Sequence, residues 1–254
     1  MKLNYRKLGS GSPLFVLHGV FGSSDNWQTL GKEFAEHFTV YLIDQRNHGN
    51  SSHSGEMNYE VMASDLQELM DGEGLQTISI LGHSMGGKTA MNFAVTYPDR
   101  VEKLIVVDIA PIYYPPHHQQ IFEGFHSIDL QRIESRKEAD QQMAEKVKEF
   151  GVRQFILKNL TRNDDNQFAW KINLEAIEQN IETLGRGLTD GQTFNKKTLF
   201  IGGSKSDYIQ QKDHQTILKH FPQATIEMVG DAGHWVHAEK PEELKALVVE
   251  FLQQ

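Results

Sequence analysis

A chain of 254 residues with 39% apolar residues, 21 glycines and 7 prolines has the size and make-up of one α/β domain with an insertion, and no stretch approaches the roughly 18 apolar residues of a membrane span. The absence of cysteine excludes disulfides, a thiol nucleophile and thiolate metal sites. A net charge of −9 without a Lys/Arg-rich run argues against a nucleic-acid partner, which needs a basic patch, while leaving room for a local cationic site.

The amino-terminal MKLNYRKLGSGSP lacks the apolar run and cleavage site of a signal peptide, so a cytoplasmic protein with no membrane partner is expected. Leu14–Leu17 is the first strand-like run, and the glycine-bearing turn His18-Gly19-Val20-Phe21-Gly22 follows it. Val40–Ile43 ends in Asp44, read as support for the RNHG loop containing His48. A helix-period segment Glu60–Met70 leads to the strand Ile78–Leu81, then to GHSMGGKT and a helix over Lys88–Tyr97. Leu104–Ile109 is the next strand. From Tyr113 to Asn195 the chain turns polar and helical with no strand-like run. That segment, 113–195, reads as a helical insertion that leaves the sheet at Ile109–Pro111 and returns at Lys197–Phe200. Because it springs from a strand's carboxyl end, a lid over the site is expected in preference to a surface decoration. Leu199–Ile201, Ile226–Val229 and a helix over Glu242–Leu252 complete the chain. Apolar strands alternating with helices specify an α/β protein with a mostly parallel, doubly wound sheet covered on both faces. Ligands bind such sheets at the carboxyl ends of the strands.

The stretch Gly82–Thr89 fits two patterns. It is G-x-x-x-x-G-K-T, a phosphate loop in which Lys88 would hold the phosphate, and Gly82–Gly86 is G-x-S-x-G, a nucleophile elbow in which Lys88 has no catalytic task. The apolar Leu104–Asp108 resembles the Asp-ending strand that accompanies a phosphate loop, but no second nucleotide-reading motif exists. The elbow demands an upstream loop with an oxyanion donor, a downstream acid and then a histidine. His18–Gly22 supplies the loop. His234, in GDAGHWVH after the last strand, supplies the imidazole; His237 is read as packing or surface. Gly86 and Gly87 let the helix pack closely on the strands. For the acid, two aspartates compete: Asp108 at the end of the Leu104–Ile109 strand and Asp207 in the loop Gly202–Ile209. Counting back three from Ile209, the usual G-x-x-D-x-x-V/I spacing lands on Ser206, so Asp207 is one position off.

Taken together, HGVFGSSDNW, DQRNHGNSS, GHSMGGK, VVDIAP and GHWVHAEKP resemble the α/β-hydrolase superfamily across essentially the whole chain, and more narrowly the small bacterial esterases of the YbfF type. That resemblance implies an α/β-hydrolase fold with a helical cap, and it puts the acid at Asp108. The expected enzyme is a serine hydrolase cleaving carboxylic esters of short to medium acyl chain, with acyl thioesters as a further class. Ser84 would be nucleophile, His234 base and Asp108 its orienting acid. Val20 and Met85 would donate oxyanion N–H groups, with Phe21 the alternative to Val20. Phe21, Met85 and Trp235 would line the acyl pocket. No cofactor or metal is needed: His48 and the adjacent His117 and His118 lack the partners of a metal site. Three other classes stay open: a cofactor-free lyase or synthase, a ligand-binding receptor retaining the triad, and an NTPase. The expected partner is a small-molecule acyl ester or thioester.

Overall fold

Five of the six apolar runs of the sequence become the central strands, and Ile226–Val229 an edge strand, of a seven-stranded sheet in a computed structural model that describes residues 1–254. In chain order the elements are β1 (Asn4–Leu8), β2 (Pro13–Leu17), α1 (Gln28–Phe34), β3 (Thr39–Asp44), α2 (Tyr59–Gly72), β4 (Ile78–His83), α3 (Met85–Thr96) and β5 (Val101–Val107). Then come α4 (Gln119–His126), α5 (Arg136–Met143), α6 (Phe150–Leu157), β6 (Leu160–Arg162), β7 (Phe168–Trp170) and α7 (Leu174–Leu184). The chain returns with β8 (Thr198–Gly203), α8 (His214–His220), β9 (Ala224–Val229), α9 (Val236–Glu239) and α10 (Pro241–Gln253).

The sheet order is β1-β3-β2-β4-β5-β8-β9. Every neighbouring pair is parallel except β1 with β3. β1 was not expected from the sequence because NYRKL carries only two apolar side chains and is half-buried at the edge. In the interior strands successive residues face opposite sides, and both sides are covered. Phe15 and Leu17 pack with α2, α3 and α8, among Leu66, Phe93 and Ile217. Leu14 and Val16 pack with α1 and α10, among Leu30, Phe34 and Val248. Local signals fix the helix starts: Asn58 Oδ1 accepts the Val61 N–H at 2.9 Å at the head of α2, and Pro241 occupies the first turn of α10.

Between β5 and β8 lie α4–α7 and an antiparallel hairpin, β6 with β7. The hairpin corrects the expectation of a strand-free segment. Its strands are three residues each, too short for any period to register in sequence. The segment has its own apolar cluster, built on Phe122, Phe125, Met143 and Ile156, which closes on Phe21, Tyr59, Met62 and Met85 of the body. It therefore sits over the carboxyl ends of β2 and β4, where the glycine-bearing loops lie. No helix is long and apolar enough to cross a membrane.

Candidate active site

Ser84 stands between β4 and α3 with φ 53° and ψ −119°, a left-handed conformation that costs a non-glycine residue energy and lifts its side chain out of the turn. The turn is possible because its glycines lack side chains. A Cβ on Gly82 would lie 2.1 Å from Gly86 O, and one on Gly86 would lie 2.6 Å from both Leu17 O and His18 O. Phe21 (φ 60°) and Asp108 (φ 51°) also have positive φ, so strained backbone gathers around one point at the top of the sheet.

Asp108 follows β5 and is fully buried. Its Oδ2 lies 2.7 Å from His234 Nδ1. Its other donors come from the loop after β8: Gly203 N–H at 2.9 Å to Oδ1 and the Ser206 hydroxyl at 2.5 Å to Oδ2. Ser206 occupies the position at which the usual spacing would place the acid, and its hydroxyl holds the carboxylate that stands there instead. Asp207 faces elsewhere, its Oδ1 accepting from Gln210 Nε2 at 3.1 Å. The carboxylate has only the Nδ1 face of the imidazole, so Nδ1 carries the proton and Nε2 is left as the basic nitrogen.

The ring of His234 is held on two sides. Tyr208 stacks on it with centroids 4.2 Å apart and planes 25° apart, and His83 is tilted against it at 4.7 Å. His83 Nε2–H donates to His234 O at 2.8 Å. Neither Tyr208 nor His83 was assigned a role from the sequence; the signal for His83 was its place directly before Ser84.

Five further imidazoles near the site, His18, His48, His83, His118 and His237, are held against protonation. Burial pushes His18 and His83 below the ordinary histidine value. It takes His48 and His237 down to about 3 and His118 to about 4, with neighbouring imidazoles adding to the effect. His48 is thus a core residue. Its Nδ1–H donates to Arg46 O at 2.9 Å, and its Nε2 accepts the Phe21 N–H at 3.2 Å. His237 stacks on Trp27 at 4.7 Å. These five, being neutral, add no repulsion when His234 gains a proton. Asp44 anchors the same loops. Its burial would raise its pKa, but N–H donors from Asn50 and Ser24 hold the carboxylate below the ordinary range.

Two cavities meet at Ser84. The larger, about 270 Å³, is reached by Ser84 and His234 and walled by Phe21, Trp235 and, from the inserted segment, Ile121, Val152 and Phe155. The smaller is lined by Met85, Tyr59 and Lys88. Phe21 and Trp235 thus share the larger cavity, whereas the Met85 side chain faces the smaller one, contrary to the grouping expected from sequence. Val20 borders both, and its N–H makes no hydrogen bond within the chain. Residues of the inserted segment could not be named from sequence because which helix faces inward depends on tertiary docking. Phe155 meets Trp235 at 5.8 Å across the cavity.

Lys88 is buried and its Nζ donates to Ile112 O (2.8 Å), Gly185 O (2.8 Å) and Arg186 O (2.6 Å). All three ammonium protons are engaged, leaving none for a phosphate. Burial pushes its pKa down to about 7. No group of three or more His, Asp or Glu side chains is disposed to hold a metal ion.

A family model described as alpha/beta hydrolase fold matches residues 12–241. The chain is 38% identical to a mouse protein named sn-1-specific diacylglycerol lipase ABHD11, over 99% of this chain and 85% of the other. It is 33% identical to esterase YbfF of Escherichia coli K12, over 99% of both. Among solved structures, one titled marine microorganism esterase superposes with a TM-score of 0.95 at 43% identity, covering 98% of this chain and 99% of that one.

Proposed function

The chain belongs to the α/β-hydrolase family, and from that membership we propose that it is a serine hydrolase cleaving carboxylic esters of short to medium acyl chain, with acyl thioesters as a second substrate class. The observation that carries this reading is the 2.7 Å contact of His234 Nδ1 with the buried Asp108, beside a strained Ser84 that opens on the same apolar cavity.

In the proposed mechanism Ser84 Oγ attacks the acyl carbonyl while His234 Nε2 takes its proton. Asp108 keeps the Nδ1–H tautomer and stabilises the imidazolium. The carbonyl oxygen, as it gains charge, is received by the N–H groups of Val20 and Met85, each worth about 3–4 kcal/mol in such sites. Val20 is favoured over Phe21 because the Phe21 N–H is committed to His48. The imidazolium then protonates the departing alcohol or thiol, and water repeats the sequence to release the acid. The chain's own residues suffice for each step. The larger cavity receives the acyl chain against Phe21 and Trp235, and the segment between β5 and β8 acts as a lid that excludes water from it.

The test is intact-mass analysis after incubation with a fluorophosphonate, with turnover of p-nitrophenyl acetate and butyrate, and Ser84→Ala as control. One adduct on Ser84 together with ester turnover is expected. Folded protein giving neither would overturn the proposal.

A further inference from the structure

Lys88 is a buried amine that acyl transfer leaves without a task; burial lowers its pKa to about 7, while three carbonyl acceptors around one nitrogen call for the three-proton ammonium form. It sits in the first turn of α3, four residues after Ser84, buried and with no carboxylate beside it. A cation in such a place is tolerated when each N–H finds an acceptor, and here three N–H bonds meet three carbonyls. The acceptors come from two strands of chain. Ile112 lies on the stem leaving the sheet after β5, and Gly185 with Arg186 on the stem returning from α7. The stems also bond to each other, Tyr114 N–H to Gly185 O at 2.9 Å and Leu188 N–H to Pro111 O at 3.0 Å.

From Lys88 a line of contacts reaches the imidazole. The ammonium lies 4.8 Å from the centre of the Tyr114 ring. Tyr114 packs on Tyr208 at 5.2 Å, its hydroxyl accepts the Ala110 N–H at 3.0 Å and donates to Tyr208 O. Tyr208 in turn stacks on His234. Without the cation, three carbonyl dipoles would point at one another across a buried gap, and the stems would separate.

We propose that Lys88 is a positioning residue: its ammonium pins both stems of the inserted segment to the helix that carries Ser84 and, through Tyr114 and Tyr208, fixes the ring of His234. This rests on the serine-hydrolase reading of Ser84, His234 and Asp108. A displaced base costs rate before it costs affinity, since misplacement near 1 Å lowers turnover by about 100-fold.

The chain has no cysteine, so Lys88→Cys creates a unique thiol. Alkylated in denaturant with 2-bromoethylamine and refolded, it regains an ammonium at nearly the reach of lysine; iodoacetamide gives a neutral control, and the parent chain is taken through the same cycle. Turnover of p-nitrophenyl butyrate is normalised to fluorophosphonate-titrated sites. Lys88→Met and the neutral adduct should lose about 10- to 100-fold in kcat with a smaller change in KM, and the aminoethyl adduct should recover most of it. Tyr114→Phe should lose part, and the Lys88→Met/Tyr114→Phe double variant should lose less than the product of the singles. Hydrogen exchange supplies a readout independent of turnover: the Tyr114 and Leu188 amides should lose protection in Lys88→Met. Unchanged kcat per titrated site with a lowered melting temperature would overturn the proposal, as would failure of the aminoethyl adduct in refolded protein. Should Lys88→Met not fold, Tyr114→Phe with parental kcat overturns it. A parent chain that neither labels nor turns over defeats the hydrolase reading instead, and exchange at the stems still decides the clamp.

Discussion

Asp108→Asn isolates what the buried carboxylate does for His234. The carboxylate accepts three hydrogen bonds, from Gly203 N–H to Oδ1 and from Ser206 Oγ–H and His234 Nδ1–H to Oδ2. An asparagine that keeps its oxygen toward Gly203 presents an NH₂ group to the other two. Ser206 adapts by rotating its hydroxyl into an acceptor. His234 can adapt only by moving its proton to Nε2, so that Nδ1 accepts from the amide and the nitrogen meant to receive the Ser84 proton is already protonated. A wrong tautomer of this kind lowers kcat by about 10⁴, or about 5 kcal/mol of transition-state stabilisation. The assay is kcat/KM for p-nitrophenyl butyrate at neutral pH, with the melting temperature as a check on folding and Asp207→Asn as the comparison. Asp207 bonds only Gln210 among side chains and should stay within a few-fold of the parent. Asp108→Asn retaining a tenth of the activity, or Asp207→Asn losing as much, would refute the assignment of the acid.

Acid should destabilise the protein well above the pH at which carboxylates titrate. Burial holds His48 at about 3 in the folded state, against about 6.5 when unfolded, so between these values the unfolded chain binds more protons. Its contribution is complete above pH 6.5 and declines as pH falls, at up to about 1.4 kcal/mol per pH unit, with His18 and His83 acting in the same direction. Urea midpoints at pH 7, 6 and 5 should fall, and a flat series would contradict the neutral-imidazole reading. Gly82→Ala would bring a Cβ within 2.1 Å of Gly86 O, a backbone contact that cannot yield while the elbow keeps its shape. It should give no folded, fluorophosphonate-reactive protein, and a variant with parental melting temperature and labelling would show that the elbow is less closely packed than described.

The central sheet was legible because parallel strands buried on both faces are written as continuous apolar runs, and five of them stand out from Leu14 to Ile201, with the edge strand β9 showing as a run broken by Glu227. β1, polar and at the edge, and the three-residue strands of the hairpin leave no such trace. The convergence of Ser84 and His234 on one cavity was legible because both stand in glycine-bearing motifs at strand ends. The off-register Asp207 carried information too: the position the spacing picked out, Ser206, touches Asp108. Lys88 could not be read, since three carbonyls from residues 24, 97 and 98 positions away leave no side-chain signature. Tyr208 likewise reaches His234 only through folding of the loop after β8.

The acceptors around Lys88 are main-chain atoms, and Ser84, Asp108 and His234 all lie outside the stretch between Tyr113 and Asn195. That stretch is therefore a cassette. Under the proposed mechanism a different sequence can be spliced between the stems without exchanging a reacting atom, and almost any residue can supply the carbonyls at 112 and 186. A graft must keep the bonds from Asn159 Nδ2 to Phe21 O and from Asn173 Nδ2 to Asn47 Oδ1, and it meets steric limits too: at 185 a side chain would come within 2.3 Å of Tyr114 O, and at 187 within 2.5 Å of Pro111 O. A library that randomises the interior while holding those two glycines, Tyr114, Asn159 and Asn173 would vary the chamber walls and leave the residues of the proposed mechanism in place.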